Sequence, residues 1–369
     1  MISEYFEGLT DGRQSGKVRH NLLEVVVMTV CAVIAGCDVW EDIADFCRVK
    51  EKWLKESFNM ELGNGIPSHD TMQRVWGMIR PWEFERCFRS WVSSVCQQTA
   101  GEIISIDGKT SRGSAGEGKK AIHMVSAWAH EQQLVLGQCA TGEKSNEITA
   151  VPELLNMLDI AGCIVTADAM SCQKEIAERI VENEGDYVVG LKRNQAILHR
   201  DTVDYFSAAM EEKMNYPQVQ YTRTMEKGHG RIEERNYYLV TDIEWLYQRE
   251  AWRGLKGLGM VRSKVTIGEK VTEERRYYIT SLTNVEQFAK ATRAHWGIEN
   301  ALHWCLDVTF REDHSRIRKD HSPENMAVVR HLVLDILKLY PEKISLARKR
   351  RRCSYDDAFL ANVLRSLHA

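Results

Sequence analysis

Three acidic residues lie where carboxylates could carry out chemistry: Asp107, Asp168 and Glu299. Asp107 follows the apolar stretch EIISI and Asp168 follows GCIVTA, so each is predicted where a buried strand ends. Glu299 lies in HWGIENALHW, inside a segment without proline that is predicted to be a helix. Because ligand sites gather at strand ends in such sheets, the three carboxylates are expected to converge.

Convergent carboxylates require a cation, because they otherwise repel one another and take up protons. Hard oxygen ligands suit Mg²⁺ or Mn²⁺. Two such ions about 4 Å apart can activate a nucleophile and stabilise the leaving oxygen of a phosphodiester. The pattern therefore favours chemistry on nucleic acid that depends on two metal ions. The simpler alternative is that each Asp only caps the turn after its strand, where Asp is a favoured residue.

The helix that carries Glu299 offers a second interpretation. His295, Glu299 and His303 are spaced four apart, so an ideal α-helix places them on one face. This spacing suits zinc ligands, but the hydrolase pattern H-E-x-x-H, with Glu next to the first His, is absent. Leu302 and Leu306 fall close to the same stripe, which predicts a half-buried carboxylate among apolar side chains. A buried hydrogen bond without any metal is a third alternative.

Basic and polar residues in turns beside these carboxylates could hold DNA phosphates. Each alone is more often a solvated turn, but their repeated placement beside the carboxylate-bearing strands favours contact with DNA. The predicted DNA-binding residues are Lys109, Arg112, Lys192, Asn194, His229, Arg231, Arg293, His295, His303 and Arg316. The stretch IPSHDT, followed by a helix that bears an Arg, is a further candidate for DNA contact.

The elements that must position these residues change along the chain. Amphipathic and buried helices are followed by three adjacent strands and then by alternating helices and strands, which predicts a mixed sheet covered by helices. The predicted divisions are a helical domain (1–100), a catalytic core (101–214), a β-rich insertion (215–282), the returning core with the acidic helix and the helix after it (283–340), and a basic helical tail (341–369). The run ARKRRR in that tail is usually solvated surface but could also lie on nucleic acid.

Composition limits the classes of protein to which the chain can belong. It has 369 residues, 44% hydrophobic and 27% charged, with a net charge of −3, which is typical of a globular protein and excludes a uniformly basic one. Ten cysteines without a C-x-x-C pair indicate buried thiols in a reducing cytoplasm. No signal peptide is recognised, and the longest apolar run is short for a membrane span, so a cytoplasmic protein without a membrane partner is expected.

Long motifs around these residues match a known family. IDGKTSRGS, KSNEITAVPELL, TADAMSCQKEIA, YVVGLKRNQ, GHGRIEER and HWGIENALHWCLDVTFREDHSR together resemble the ISAs-type insertion-sequence transposases and their H-repeat-associated relatives. RHNLLEVVVMTVCAVIAGCDVWEDIADF and IPSHDTMQRV resemble the helical domain that precedes the catalytic domain in that family. The resemblance covers nearly the whole chain.

The resemblance implies an α/β catalytic fold of the ribonuclease-H-like class with a D-D-E triad. Asp107, Asp168 and Glu299 then become the catalytic and metal-binding residues, with Mg²⁺ or Mn²⁺ as cofactor. The implied activity is hydrolysis at transposon ends, followed by attack of the freed 3′-hydroxyl on target DNA. The implied partner is double-stranded DNA, both terminal repeats and target. A homodimer is expected in the DNA complex, with the helical domain reading the terminal repeats.

One departure from the family concerns the positive charge near the last acid. Related transposases carry Arg four residues before the Glu and Lys seven residues after it, whereas this chain has His295 and Leu306 there. Arg293, His303 and Arg316 are the candidates to supply that charge. A catalytically silent DNA-binding relative is the remaining alternative, and the intact triad argues against it.

Overall fold

The N-terminal part of the chain is helical. The computed structural model describes residues 2–96, 100–116, 118–142, 147–210, 219–228 and 230–365. Its first helices are α1 (Ile2–Phe6), α2 (Leu22–Ile34), α3 (Trp40–Val49), α4 (Glu51–Phe58), α5 (His69–Met78) and α6 (Pro81–Val95). The longest apolar run of the sequence forms the buried helix α2, and Asn21 caps it by accepting from the backbone N–H groups of Leu23 and Glu24.

The strands of the described residues form one mixed sheet. They are β1 (Ile103–Thr110), β2 (His123–Ala129), β3 (Leu134–Ala140), β4 (Ile164–Ala167), β5 (Asp186–Leu191), β6 (Val219–Gly228), β7 (Arg231–Val240), β8 (Gly257–Ile267) and β9 (Lys270–Thr280). Their order is β3-β2-β1-β4-β5-β9-β8-β7-β6. β1 is antiparallel to β2 and parallel to β4, and β4 is parallel to β5. This is the expected α/β sheet of the ribonuclease-H-like class, and the fold prediction is confirmed.

The strands predicted as a β-rich insertion continue this sheet. β9 pairs antiparallel with β5, and β8, β7 and β6 follow it as a meander. Their far ends are exposed, whereas Leu239, Leu258 and Ile279, at the ends near β5, are buried. The segment therefore extends one edge of the sheet beyond β5. The five-part division of the chain stays a prediction.

One long helix connects the helical part to the sheet. The remaining helices are α7 (Glu147–Asn156), α8 (Lys174–Glu182), α9 (Ala196–Met210), α10 (Val285–Ile298), α11 (Trp304–Val308), α12 (Ser322–Leu339), α13 (Leu346–Tyr355) and α14 (Asp357–Arg365). α12 contacts α2, α5, α6 and β3, and nearly all of its side chains are buried. Its buried Asn325 donates to the carbonyls of Trp76 and Ile79 at 2.9 Å each. The helical part and the sheet therefore share a continuous apolar core.

The basic run of α13 contributes to this core more than to the surface. Lys349 is buried and donates to the carbonyl of Leu337 at 2.7 Å. Arg350 is buried too and donates to the Val33 carbonyl and to Asp38, at 2.9 and 2.7 Å. Lys349 and Arg350, at the centre of this run, therefore cannot contact nucleic acid as predicted, because their charged groups bind carbonyls and a carboxylate inside the protein.

Most of the cysteines are buried, and all ten are free thiols. Burial raises the pKa of Cys47 and of Cys353 to about 12, so these thiols are neutral and behave as small apolar residues.

In the described part of the chain, no helix combines the length and the apolar character that crossing a membrane requires.

The first prediction concerns Glu85, which is buried where α6 meets β3 and accepts from the backbone N–H of Gln138 at 2.9 Å. Burial raises its pKa from 4.5 to about 8. The folded state thus holds a proton that the unfolded state releases, and the free energy of unfolding falls as pH rises between these values. Glu85→Gln cannot ionise, so its melting temperature, followed by calorimetry, should gain on the wild type by several degrees from pH 5 to pH 8.

Glu83 on the same helix is the control, because its pKa moves in the opposite direction. A hydrogen bond of 2.9 Å from the backbone N–H of Thr10 lowers the pKa of Glu83. Glu83→Gln should therefore lose stability at neutral pH, and its deficit should shrink as pH falls through the lowered pKa. Melting temperatures of Glu85→Gln and wild type that run parallel across the range would contradict a neutral Glu85.

Candidate active site

The register of two parallel strands brings Asp107 and Asp168 together. Ile106 of β1 is opposite Ala167 of β4, and this is where their pairing stops. Asp107 and Asp168 directly follow this last pair, Asp107 within β1 and Asp168 just after β4, at the carboxyl edge of the parallel pair. β1 itself does not end at Asp107 as predicted, because it continues in register with β2, where Asp107 is opposite Ser126. The edge position thus comes from the short β4.

Glu299 lies at a break in the helical geometry. It is the first residue of a π-helical turn, Glu299–His303, between α10 and α11. Such turns are rare and occur frequently at functional sites. The side chain of Glu299 is exposed, as are Trp296 and Trp304, whereas Leu302 and Leu306 are buried. The expectation of a half-buried Glu299 was therefore wrong: the π-turn separates the carboxylate from the leucines that anchor the helix.

A polar network fastens the three acid-bearing elements together beneath the carboxylates. Thr166 of β4 donates to Ser105 of β1 at 3.0 Å, and its hydroxyl also lies 3.0 Å from Nδ1 of His295 on α10. Ser105 and Thr166 are buried. On the strands, Ser105 and Thr166 each lie two residues before an Asp of the site. On the helix, His295 lies four residues before Glu299. Each of these side chains therefore lies on the same face of its strand or helix as the acid that follows it. The network therefore sets how α10 lies on β1 and β4.

The second prediction tests that network. Thr166→Val keeps the side-chain shape but leaves Ser105 and His295 without their shared partner, which should cost about 1–3 kcal/mol. The DNA cleavage that the resemblance implies should fall by about tenfold or more at a temperature where the variant is folded, because a small misplacement of reacting groups is costly. Thr292→Val is the matched control: Thr292 is also buried, on α10, but its hydroxyl donates only to carbonyls of its own helix. Equal losses of cleavage in both variants would contradict a positioning role for Thr166.

The carboxylates share one cleft and repel one another. Asp107, Asp168 and Glu299 line a cavity of about 390 Å³ between the sheet edge, α10 and β9. Burial, together with the charges of Asp168, Glu147 and Glu299, raises the pKa of Asp107 to about 7. Asp168 is held by two backbone donors, the N–H groups of Met170 and Ser171. The site therefore accumulates negative charge that its own hydrogen bonds do not neutralise.

This arrangement fits a divalent cation. The donors are carboxylate oxygens, which Mg²⁺ and Mn²⁺ prefer, and burial and acidic neighbours raise the pKa of Asp107, so a bound cation would favour its ionised form. Asp107, Asp168 and Glu299 are the residues that could hold it. In the described residues no three His, Cys, Asp or Glu side chains already stand at ligand distances from a common point. Closure around a cation would therefore require side-chain movement.

A fourth carboxylate, which the sequence analysis did not single out, lies beside Asp107. Glu147, at the start of α7, contacts Nε2 of His123 at 2.6 Å, and Nδ1 of that ring lies 2.7 Å from the hydroxyl of Thr110. A Cβ on Gly108 of β1 would come within 2.2 Å of the Glu147 carboxylate and 2.3 Å of His123 Nε2, so a larger residue there would displace this contact. The glycine of IDGKT and the acid of NEITAVPELL are the sequence signals of this contact.

The predicted DNA-binding residues divide into two groups. Lys192 is exposed and lines the carboxylate cleft. Arg112, Arg231 and Arg316 are also exposed. Asn194 instead donates to the carbonyl of Ala169 at 2.6 Å, which holds the loop after Asp168. Arg293 forms two hydrogen bonds of 2.9 Å to Glu226. His229 lies outside the described residues. DNA contact by this set stays a prediction.

Lys109 occupies a different environment from the predicted phosphate contact. Its ammonium group lies 2.8 Å from Asp307, 3.0 Å from Glu312 and 3.6 Å from Asp313. Glu312 is buried, and Arg330 lies 3.5 Å from its other oxygen. Burial acts to raise the pKa of Glu312, but the nearby cations Arg330 and Lys109 hold this pKa below its usual value. Lys109 therefore links the strand of Asp107 to the chain that follows Glu299.

The two histidines of HWGIENALHW face different partners. His295 contacts Thr166, whereas Nδ1 of His303 lies 3.5 Å from the Asp107 carboxylate. Burial lowers the pKa of each to about 4, so both rings are neutral at pH 7. A neutral ring supplies no positive charge, so His303 does not replace the family's missing lysine. The π-turn also breaks the one-turn spacing between Glu299 and His303 on which the zinc interpretation depended.

The far wall of the cleft comes from β9. Arg275, Arg276 and Tyr277 line it, opposite the carboxylates. The guanidinium of Arg276 stacks over the exposed ring of Trp296 at 4.6 Å, and Glu274 holds it through two hydrogen bonds of 2.8 and 3.0 Å. This wall could not be predicted from residue patterns, because it depends on the pairing of β9 with β5.

Two protein-family models match the chain, one in its helical N-terminal part and one over the sheet. The family model described as "Transposase DDE domain" matches residues 98–336, and one described as "DDE_Tnp_1-associated" matches residues 3–92. The H repeat-associated putative transposase YhhI of Escherichia coli K12 is 41% identical, over 98% of this chain and 97% of its own length. The putative transposase YncI of Escherichia coli O157:H7 is also 41% identical, over 99% of this chain and 94% of its own length.

Among solved structures, the chain is similar to the piggyBac transposase in a synaptic complex with hairpin DNA. The TM-score is 0.46 at 10% identity, and the match covers 96% of this chain and 76% of the other. The resemblance inferred from the motifs is confirmed by the family models and by the sequence relatives. The chain belongs to the DDE transposase family, together with the H-repeat-associated proteins of Escherichia coli.

Proposed function

We propose that this protein cuts DNA at the ends of an insertion sequence and joins the freed 3′-hydroxyl to target DNA. The observation that carries the proposal is the meeting of Asp107, Asp168 and Glu299 in one cleft, with the pKa of Asp107 raised by burial and by its acidic neighbours. A cluster of this kind is suited to divalent cations rather than to acid–base catalysis alone.

In the proposed reaction the protein's own groups bind and orient the DNA. Asp107, Asp168 and Glu299 would hold Mg²⁺ or Mn²⁺, two ions in number, and bound ions would supply activation of the attacking oxygen and stabilisation of the leaving oxygen. Lys192 on one side and Arg276 on the other are suited to the phosphates that flank the scissile bond. Neutral His295 and Thr166 keep α10 in place, so that the carboxylates stay in register with the substrate.

The proposed partners follow from the same site. Terminal-repeat DNA and target DNA must both enter an open cleft, and the helical part is proposed to read the repeats. A homodimer in the DNA complex would bring two ends together. A cytoplasmic protein acting on the bacterial nucleoid is the proposed location.

Strand joining is the experiment that separates a transposase from a simple nuclease. A short duplex that ends in the element's terminal repeat, with a free 3′-hydroxyl, is incubated with a supercoiled plasmid and Mg²⁺ or Mn²⁺. The expected product is the duplex joined to nicked plasmid through its 3′ end, and a blocked 3′ end should give none. If the protein cuts DNA but joins no strands with any of the divalent ions tested, its activity would be that of a nuclease and not of a transposase.

A further inference from the structure

We propose that a basic cleft in the helical part binds the phosphodiester backbone of double-stranded DNA, away from the carboxylate site. The cleft measures about 620 Å³ and lies between residues 12–20 and α5. We call it the N-terminal basic cleft. The proposal rests on the proposed function, because it names a surface by which a DNA-cutting protein would hold its substrate.

The lining of this cleft has one sign of charge. Arg13, Lys17, Arg19 and Arg74 line it, and none of its lining residues, which all lie in the described range 2–96, is an Asp or Glu. The chain as a whole carries a net charge of −3, so this concentration of cations is a local feature. A local positive field of this kind attracts a polyanion and raises its rate of association.

Three of these cations are free to bind a ligand. Lys17, Arg19 and Arg74 are exposed, and the described part of the chain places no carboxylate within ion-pair distance of them. Arg13 differs, because Asp11 neutralises it through contacts of 2.6 and 2.7 Å. Burial lowers the pKa of His20, so this ring is not counted among the cations of the cleft. The cleft therefore offers three uncompensated charges.

The wall formed by residues 12–20 is held in place by its neighbours. Arg13 donates to the carbonyl of His20 at 2.9 Å, which closes this segment into a loop. Asn64 donates to the carbonyl of Arg19 at 2.7 Å and ties the loop to the turn before α5. The backbone that carries Lys17 and Arg19 is thus fixed, which reduces the entropy lost when the cleft binds a ligand.

The wall formed by α5 presents polar donors from its first turn. Ser68 caps the helix by accepting from the backbone N–H of Thr71 at 3.3 Å. Arg74 donates to the carbonyl of Asp70 and to the hydroxyl of Thr71, at 3.3 and 3.2 Å, which holds its guanidinium over the start of the helix. Hydroxyls, a fixed guanidinium and a helix N-terminus are the groups that proteins use to hold DNA phosphates.

The cleft is rigidly connected to the catalytic part. The two hydrogen bonds from Asn325 of α12 fix the last turn of α5. α12 packs against β3 of the catalytic sheet. DNA held in the cleft would therefore keep a constant position relative to the carboxylates, as a protein that cuts at a defined distance from a bound sequence requires.

The test compares two triple variants in the Glu299→Gln background, which is expected to prevent cutting. One is Lys17→Ala, Arg19→Ala and Arg74→Ala. The matched control is Arg48→Ala, Lys52→Ala and Lys55→Ala, in which each cation already pairs with an acid on α3 or α4. Binding of a fluorescent duplex from the DNA flanking the gene is measured by anisotropy between 50 and 200 mM KCl. Circular dichroism and melting temperature check folding.

We expect the cleft variant to bind at least about tenfold more weakly at 50 mM salt, with a salt slope lower by about 2 to 3, and the control to keep both values. If the triple variant does not fold, the double variant Lys17→Gln and Arg19→Gln, at exposed sites, should lose about 2 in slope. Unchanged slopes in the cleft variant, when the wild type without Glu299→Gln binds and cuts DNA, would overturn the cleft alone. A wild type that neither binds nor cuts DNA would overturn the proposed function itself. Displacement of the duplex by an equal charge concentration of polyglutamate would assign the cleft to acidic protein instead.

Discussion

Glu299→Gln is expected to abolish DNA cleavage while leaving DNA binding intact. The amide keeps the shape of the side chain but removes one of three carboxylates proposed to hold divalent ions. Because such ions stabilise the charge of the transition state by several kcal/mol, the rate of cutting should fall by about a thousandfold or more. The side chain is exposed, so no loss of folding is expected. Cleavage is followed on labelled terminal DNA, and binding by gel shift in the same samples.

The control for this variant is a neighbour on the same turn. Asn300→Asp adds a carboxylate next to Glu299 at an exposed position, without removing any member of the triad. It should retain most of the cleavage activity. If Glu299→Gln cuts as fast as wild type, Glu299 is not a catalytic residue. If it loses binding as well as cutting, its role is not purely catalytic.

Lys109→Met should both destabilise the protein and slow cleavage. Methionine matches the lysine stem in length but leaves Asp307, Glu312 and Asp313 without their shared cation. Breaking a buried ion pair by removing one partner costs about 3 kcal/mol or more. Arg330 still faces Glu312, so a loss near that lower figure is expected. Cleavage should drop because the ion pair connects β1 to the chain that follows the π-turn.

The pH dependence separates this ion pair from a general packing effect. The pKa of Glu312 is lowered in the folded protein, so its ion pairs add stability above pH 4.5 that is lost as pH falls through the lowered value. The difference in melting temperature between Lys109→Met and wild type should therefore be largest near pH 7 and smaller near pH 4. Glu312→Gln added to Lys109→Met should recover part of the loss. A deficit independent of pH would contradict this origin.

Lys290→Met is the matched control for the lysine substitution. Lys290 pairs with Glu131 at 2.6 Å, but both side chains are largely exposed. Exposed pairs contribute about 1 kcal/mol or less, so Lys290→Met should melt near the wild-type temperature and cut DNA normally. Cleavage that is equally reduced in the two lysine variants would point to lost charge in general, rather than to the position of Lys109.

The parts of the site that were predictable depend on short-range patterns. Asp107 and Asp168 follow apolar runs whose length and β-branched residues indicate buried strands, and the edge of a parallel pair is where such residues meet. The pairing of β2 with β3 also follows from the short turn that joins them. The family motifs then link these two acids to Glu299, which lies 131 residues after Asp168 and which no local pattern could connect to them.

The remaining features depend on contacts between distant parts of the chain. The π-turn at Glu299 changes which residues share a face, and helical spacing of four residues cannot reveal it. Lys109 was predicted to bind phosphate because acidic residues about two hundred positions away were not visible as its partners. Glu147 was overlooked because its closeness to Asp107 depends on Gly108, whose missing Cβ makes room for it. Each is a tertiary effect that overrides a local preference.

Dependence of cutting on a divalent ion is the most direct test of the site as a whole. Supercoiled plasmid carrying the DNA that flanks the gene is incubated with metal-free wild-type protein, then with Mg²⁺, Mn²⁺ or Zn²⁺. We predict a nick at the element end that leaves a 3′-hydroxyl, only with Mg²⁺ or Mn²⁺, and none with Asp168→Asn. Cutting without a divalent ion, cutting with Zn²⁺ alone, or equal cutting by wild type and Asp168→Asn would contradict a metal-dependent site built from Asp107, Asp168 and Glu299.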